Sequence, residues 1–171
     1  MSRVALARLV LPFAVCFLGT AVPAAAQSAA TLLAKNGDWE AYTYEEKGVK
    51  VCYMATIPKE EADKDRGTAM LSVSHRGKQI NVVNAIINTP FKKGSSASLA
   101  VGGKEVTLFT NGNGAWARDA ATDKDLVQTM IRSNNAVLKG TPANAKAIVQ
   151  TYSLGGFTAS YQAINEACGV K

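Results

Sequence analysis

The chain has 171 residues, 47% of them hydrophobic, and a formal net charge of +6, which fits one domain with enough apolar mass for a single core. Its lysines are scattered (Lys50, Lys78, Lys92, Lys93, Lys104, Lys139, Lys146) with no interleaved aromatics, a pattern that argues against nucleic acid as a partner. The surplus leaves only a weak attraction to an anionic outer-membrane surface.

Residues 1–26 have the pattern of a cleaved secretory signal peptide. Arg3 and Arg8 form its positive start, 9–18 its apolar stretch, and Ala24, Ala25 and Ala26 its small-residue cleavage site before Gln27. Pro12, Gly19, Thr20 and Pro23 interrupt the run, which falls short of the roughly 20 apolar residues that a bilayer requires. Cys16 lacks the small preceding residues of a lipidation site, since Val15 comes before it. Cleavage removes Arg3 and Arg8 from the 19 basic residues and none of the 13 acidic ones, leaving a surplus of four. The expected location is the periplasm or the outer membrane's surface.

Residues 27–36 read as a flexible lead-in, and 37–171 as one domain. After the Asn36-Gly37-Asp38 turn, Trp39, Ala41 and Thr43 alternate with Glu40, Tyr42 and Tyr44, the period of a strand. Lys47-Gly48 turns the chain into a second strand, where Val51 and Tyr53 alternate with Cys52 and Met54, and 58–66 is a charged, solvated connection. Strands are expected at 68–75, 79–87, 97–101 and 104–110, with Gly102-Gly103 as a tight hairpin turn. Gly112 and Gly114 break the chain before Trp116. A helix over about 123–133 carries the stripe Leu126, Val127, Met130 and Ile131, and two short strands at 136–139 and 147–153 follow. Beyond the Gly155-Gly156 break, Phe157, Tyr161, Ile164 and Cys168 fall on one face of a final helix over 157–168.

Many short strands with hairpin turns and few helices predict an all-β fold, an immunoglobulin-like antiparallel β-sandwich carrying these two helices. Cleavage of the signal would leave Cys52 and Cys168, an even pair in an oxidising compartment, and hence a disulfide between them. The bond would close a loop of more than 100 residues, for which chain entropy gives about 4.7 kcal/mol. A reactive thiol is the other reading, but Cys168 lies at a helix C-terminus, where the dipole disfavours a thiolate.

The succession Gly37-Asp38-Trp39, Val51-Cys52-Tyr53, Leu108-Phe109-Thr110 with Ala115-Trp116, Asp125-Leu126-Val127 with Met130, and Thr151-Tyr152-Ser153-Leu154 with Gly156-Phe157 and Ala167-Cys168 resembles the invasion-associated locus B family of exported proteobacterial proteins. The resemblance covers nearly all of 37–168. It implies an immunoglobulin-like sandwich, an envelope location, an association with host-cell invasion in some members, and no established enzymatic activity.

The residues themselves offer no catalytic set. His75 is the only histidine and reads as a surface residue at a strand end, with Arg76 positioned to lower its pKa. No His/Cys/carboxylate spacing suits a metal; Asp119, Asp123 and Asp125 read as helix N-terminal acids, and Met54, Met70 and Met130 as core filler. No cofactor is expected. Trp39 and Phe157 are expected in the core, whereas Asn111, Asn113 and Trp116 form the candidate contact surface, presented by a glycine-rich loop. The favoured function is non-enzymatic contact with an envelope or host protein or with the envelope surface. A periplasmic thiol-disulfide factor using Cys52 and Cys168 is the alternative, and a small-ligand carrier a third reading.

Overall fold

The computed structural model describes residues 29–59, 69–144 and 146–171; the signal-peptide segment and most of the charged connection lie outside them. Among the described residues ten strands form one antiparallel sheet, in the order β1-β2-β3-β4-β5-β8-β7-β6-β9-β10. The strands are β1 (Thr31–Asn36), β2 (Trp39–Glu46), β3 (Val49–Thr56), β4 (Met70–Arg76), β5 (Gln79–Ile86), β6 (Ser96–Val101), β7 (Lys104–Asn111), β8 (Gly114–Trp116), β9 (Asn135–Gly140) and β10 (Ile148–Ser153), with helices α1 (Ala120–Ile131) and α2 (Phe157–Cys168).

The all-β antiparallel prediction holds, with both helices present. In a flat sheet β2 and β10 would stand roughly 38 Å apart, at about 4.8 Å per strand. Yet Trp39 Nε1 donates to the Ser153 carbonyl at 2.9 Å, and the Asp38 N–H to that of Gly155 at 3.1 Å. The sheet therefore curls until its two ends meet, and sandwich-like layering comes from one continuous ladder.

Alternation determines what the curl encloses. Trp39, Ala41, Cys52, Met54, Leu71, Val73, Val83 and Ala85 are all buried on the inner face, joined by Leu99, Leu108, Leu138 and Tyr152 from the second half. Helix α2 fills the space above β1–β4 with Phe157 and Ile164, and Phe157 meets Trp39 edge-on at a centroid distance of 5.0 Å. Trp39 and Phe157 are core residues as expected, as are Met54 and Met130, whereas Met70 is only half-buried.

Four details differ from the sequence reading. Thr31–Asn36, expected as a flexible lead-in, is strand β1, paired to β2 along its length. Gly114–Trp116, expected as a break followed by irregular chain, is strand β8, held between β5 and β7. Helix α1 begins three residues early because Asp119 caps it, its side chain accepting the Thr122 N–H at 2.8 Å. His75, expected at the surface, is buried at 1% exposure; it shares the inward face of β4 with Leu71 and Val73, whose alternation carries it inside.

Candidate functional site

Cys52 and Cys168 are bonded, tying β3 to the last turn of α2 across 116 residues of chain. Cross-strand register places Thr43, Cys52 and His75 side by side on β2, β3 and β4, and all three lie beneath α2. Cys52 is fully buried, with Thr43 Oγ1 at 3.7 Å from its sulfur. The helix dipole at this end favours cations over a thiolate, and no basic residue occupies the last turn of α2. A structural bond fits these surroundings.

The buried imidazole has partners on both nitrogens. Its Nδ1 accepts the Asn81 N–H at 3.0 Å, which leaves Nε2 to carry the proton and donate to Asn165 Oδ1 at 2.8 Å. Asn81 has a left-handed φ of 63° beside an irregularity in the β4–β5 register, and its side-chain oxygen accepts from Tyr161 at 2.7 Å. Two positions on α2 are thus locked to a kinked hairpin, next to the disulfide.

Burial, the largest cause, holds the His75 pKa below its ordinary value of 6.5, outweighing the opposing bond to Asn165. Arg76, the cause expected from sequence, instead pairs with Glu46 at 2.8 Å. A depressed imidazole pKa means that the unfolded chain takes up more protons on acidification, so stability present at neutral pH declines as pH falls below the unfolded value and levels off below the folded one. The melting midpoint should fall between about pH 7.5 and 5.5, and His75→Gln should flatten that slope. Asp123 works in the opposite sense, since burial raises its pKa despite the Val83 N–H that it accepts at 2.9 Å. Both proteins contain it, so their difference isolates His75. An equal slope in both would show that His75 does not carry the effect.

The other acids in the α1 region have evident structural tasks: Asp119 is the cap, and Asp125 pairs with Lys104 at 3.1 Å. Among the described residues no group of three or more His, Cys, Asp or Glu is placed to hold a metal ion.

The three candidate contact residues divide. Asn111 and Trp116 line one groove of about 530 Å³, with Lys78, Ile80, Phe109 and Arg118. Asn113 lies outside that lining, in the turn between β7 and β8, and its carbonyl accepts the Ile87 N–H at 2.9 Å. The supposed glycine-rich loop is thus a hairpin turn, with Gly112 at a φ of +57°. Trp116 is half-buried and stacks on Phe109 at 5.6 Å. Phe109, which sequence reasoning passed over, is the more exposed ring at 40%.

The family model for invasion associated locus B (IalB) proteins matches residues 39–165, from Trp39 at the start of β2 to Asn165 beside the disulfide. The chain belongs to the invasion-associated locus B family. No curated protein and no solved structure matches it. Membership in the IalB family points to an exported envelope protein, and no described helix is long and apolar enough to cross a membrane. The matched IalB span contains Cys52, His75, Phe109 and Trp116, together with most of α2.

Proposed function

We propose that this protein is an exported, non-enzymatic envelope component of the periplasm or outer-membrane surface, acting through protein or surface contacts, with its disulfide as a permanent staple. The observation that supports this reading is the burial of Cys52 at 0% exposure beneath α2. A redox-cycling cysteine needs a thiolate within reach of a partner's sulfur; burial opposes that at Cys52, and helix polarity opposes it at the half-buried Cys168. The contact surface proposed is the groove bearing Trp116, Phe109 and Asn111.

Thiol labelling of protein purified from the periplasm tests the reading against a thiol-disulfide factor. The native protein should take up no label, with or without brief exposure to mild reductant, whereas the denatured and reduced protein should label at both Cys52 and Cys168. Rapid labelling of Cys168 in the folded, mildly reduced protein would favour the thiol-disulfide factor instead.

A further inference from the structure

The groove around Trp116 is one part of a longer feature. Two further grooves, of about 700 and 540 Å³, lie on the outer face of β2–β5; they share Tyr53 and Met70 with each other, and the larger shares Gln79 and Val82 with the Trp116 groove. Through these shared residues they adjoin as one furrow running across the strands. Tyr42, Tyr53, Ser74 and Val82 are successive cross-strand neighbours on β2, β3, β4 and β5, and the next row on the same face, two residues along, runs Ser72, Asn84, Trp116 and Phe109 from β4 through β5 and β8 to β7. The five strand steps from β2 to β7 span roughly 24 Å at about 4.8 Å each.

Aromatic rings mark both ends. Tyr53 stacks on Tyr42 at 5.2 Å and meets Tyr44 edge-on at 5.9 Å, while Trp116 and Phe109 form the distant pair. Three of the exposed large hydrophobics, Ile57, Ile80 and Phe109, border the same furrow. Between the ring clusters the lining mixes the polar Ser72, Ser74 and Gln79 with the apolar Met70 and Val82. Near the tyrosines Lys35 pairs with Glu40 at 2.7 Å and Arg76 with Glu46 at 2.8 Å, and Asp38 and Lys59 also line that end. Glu40 also accepts the Tyr42 hydroxyl.

This chemistry selects an occupant. Strands β3, β4 and β5 are each paired on both sides, so an extended peptide cannot dock here by adding a strand. What the furrow offers are ring faces, hydroxyls and amides, with two ion pairs beside its tyrosines and Lys78 and Arg118 at its tryptophan end. A chain of pyranose rings presents the complement: apolar C–H faces for stacking, equatorial hydroxyls for hydrogen bonds, and a length that exceeds any single pocket. We infer that the furrow from Tyr42 to Trp116 binds a linear glycan strand. The inference rests on the contact reading above and supplies that contact with a polymer as its partner.

The test uses the whole mature protein with three probes: the hexamer of N-acetylglucosamine, cellohexaose, and purified peptidoglycan sacculi for co-sedimentation. Calorimetry should show binding of at least one hexamer, weakening at least tenfold for the corresponding dimer, and Tyr53→Ala and Trp116→Ala should each weaken it at least tenfold. Because those rings also pack, Ser74→Arg provides a second variant that fills the furrow without removing a ring; it should abolish binding while leaving the melt within about 2 °C of the parent. No binding to any of the three probes, binding unchanged in Ser74→Arg, or capture of a proline-rich decapeptide in place of the glycans would overturn the inference. The labelling experiment fails independently: a cycling disulfide with intact glycan binding sinks the contact-only reading, and an inert disulfide with no glycan binding sinks this one.

Discussion

Replacing both Cys52 and Cys168 with serine is expected to cost about 4 kcal/mol and to lower the melting midpoint by about 15 °C. The closed loop spans 116 residues, so the unfolded chain regains a large conformational freedom once the cross-link is gone. The folded state loses as well, since α2 is then held to the sheet by the burial of Phe157 and Ile164 and by the His75–Asn165, Tyr161–Asn81 and Asn36–Ser160 bonds. Reduction of the parent protein should reproduce the drop, provided that the reductant reaches the bond in the denatured state. A shift of under about 3 °C in both experiments would mean that the bond is no staple.

Gly156→Ala is expected to be comparably severe, at about 4 kcal/mol. Gly156 caps α2 with a φ of +92°, and a Cβ there would lie 1.8 Å from the carbonyl oxygen of Asn36. That oxygen belongs to the β1–β2 turn, where Gly37 in turn passes so close that its own Cβ would stand 2.6 Å from the Gly155 carbonyl. Two backbone turns touch where the ends of the sheet meet, and neither has a flexible side chain that could yield. Gly155→Ala is the control, because its Cβ would meet only Ser153 Oγ at 3.3 Å and Asp38 Oδ2 at 3.6 Å, with no left-handed φ. That change should cost under about 1 kcal/mol. Denaturant melts of the two variants should therefore separate widely, and equal midpoints would refute the contact argument.

Much of this fold is legible in the sequence because its strands keep a strict period of two and its turns carry glycine. The residues at i, i+4, i+7 and i+11 of α2 predict its buried face, with Phe157 and Ile164 enclosed and Tyr161 and Cys168 packed alongside. Strand β1 is illegible for a physical reason: it lies at a sheet edge with Leu32 and Leu33 both exposed around a register irregularity, so it carries no alternation. Strand β8 is three residues long and owes its existence to its two neighbours. The burial of His75 was available from its alternation with Leu71 and Val73, and the cap at Asp119 from its spacing to Thr122.

The candidate contact site was half legible. Trp116 and Asn111 are two residues of a furrow whose other parts lie on strands far away in sequence. Alternation places Tyr42, Tyr44 and Tyr53 on the outer face, but only strand order shows that β5 lies beside β8 and so joins the tyrosines to the tryptophan.

The meeting of first and last elements also governs how this chain reaches its native state. Asn36 bonds to Ser160 across 124 residues, Trp39 to Ser153 across 114, and His75 to Asn165 across 90. Strands β1–β4 come early in synthesis, yet their inner face is covered by α2, so their apolar side chains wait for nearly the whole domain before they find cover. Contacts so distant in sequence slow folding, because loop closure must precede any reward. The same delay exposes paired strands and an uncovered β1 edge to neighbouring chains, so refolding yield should fall steeply as protein concentration rises.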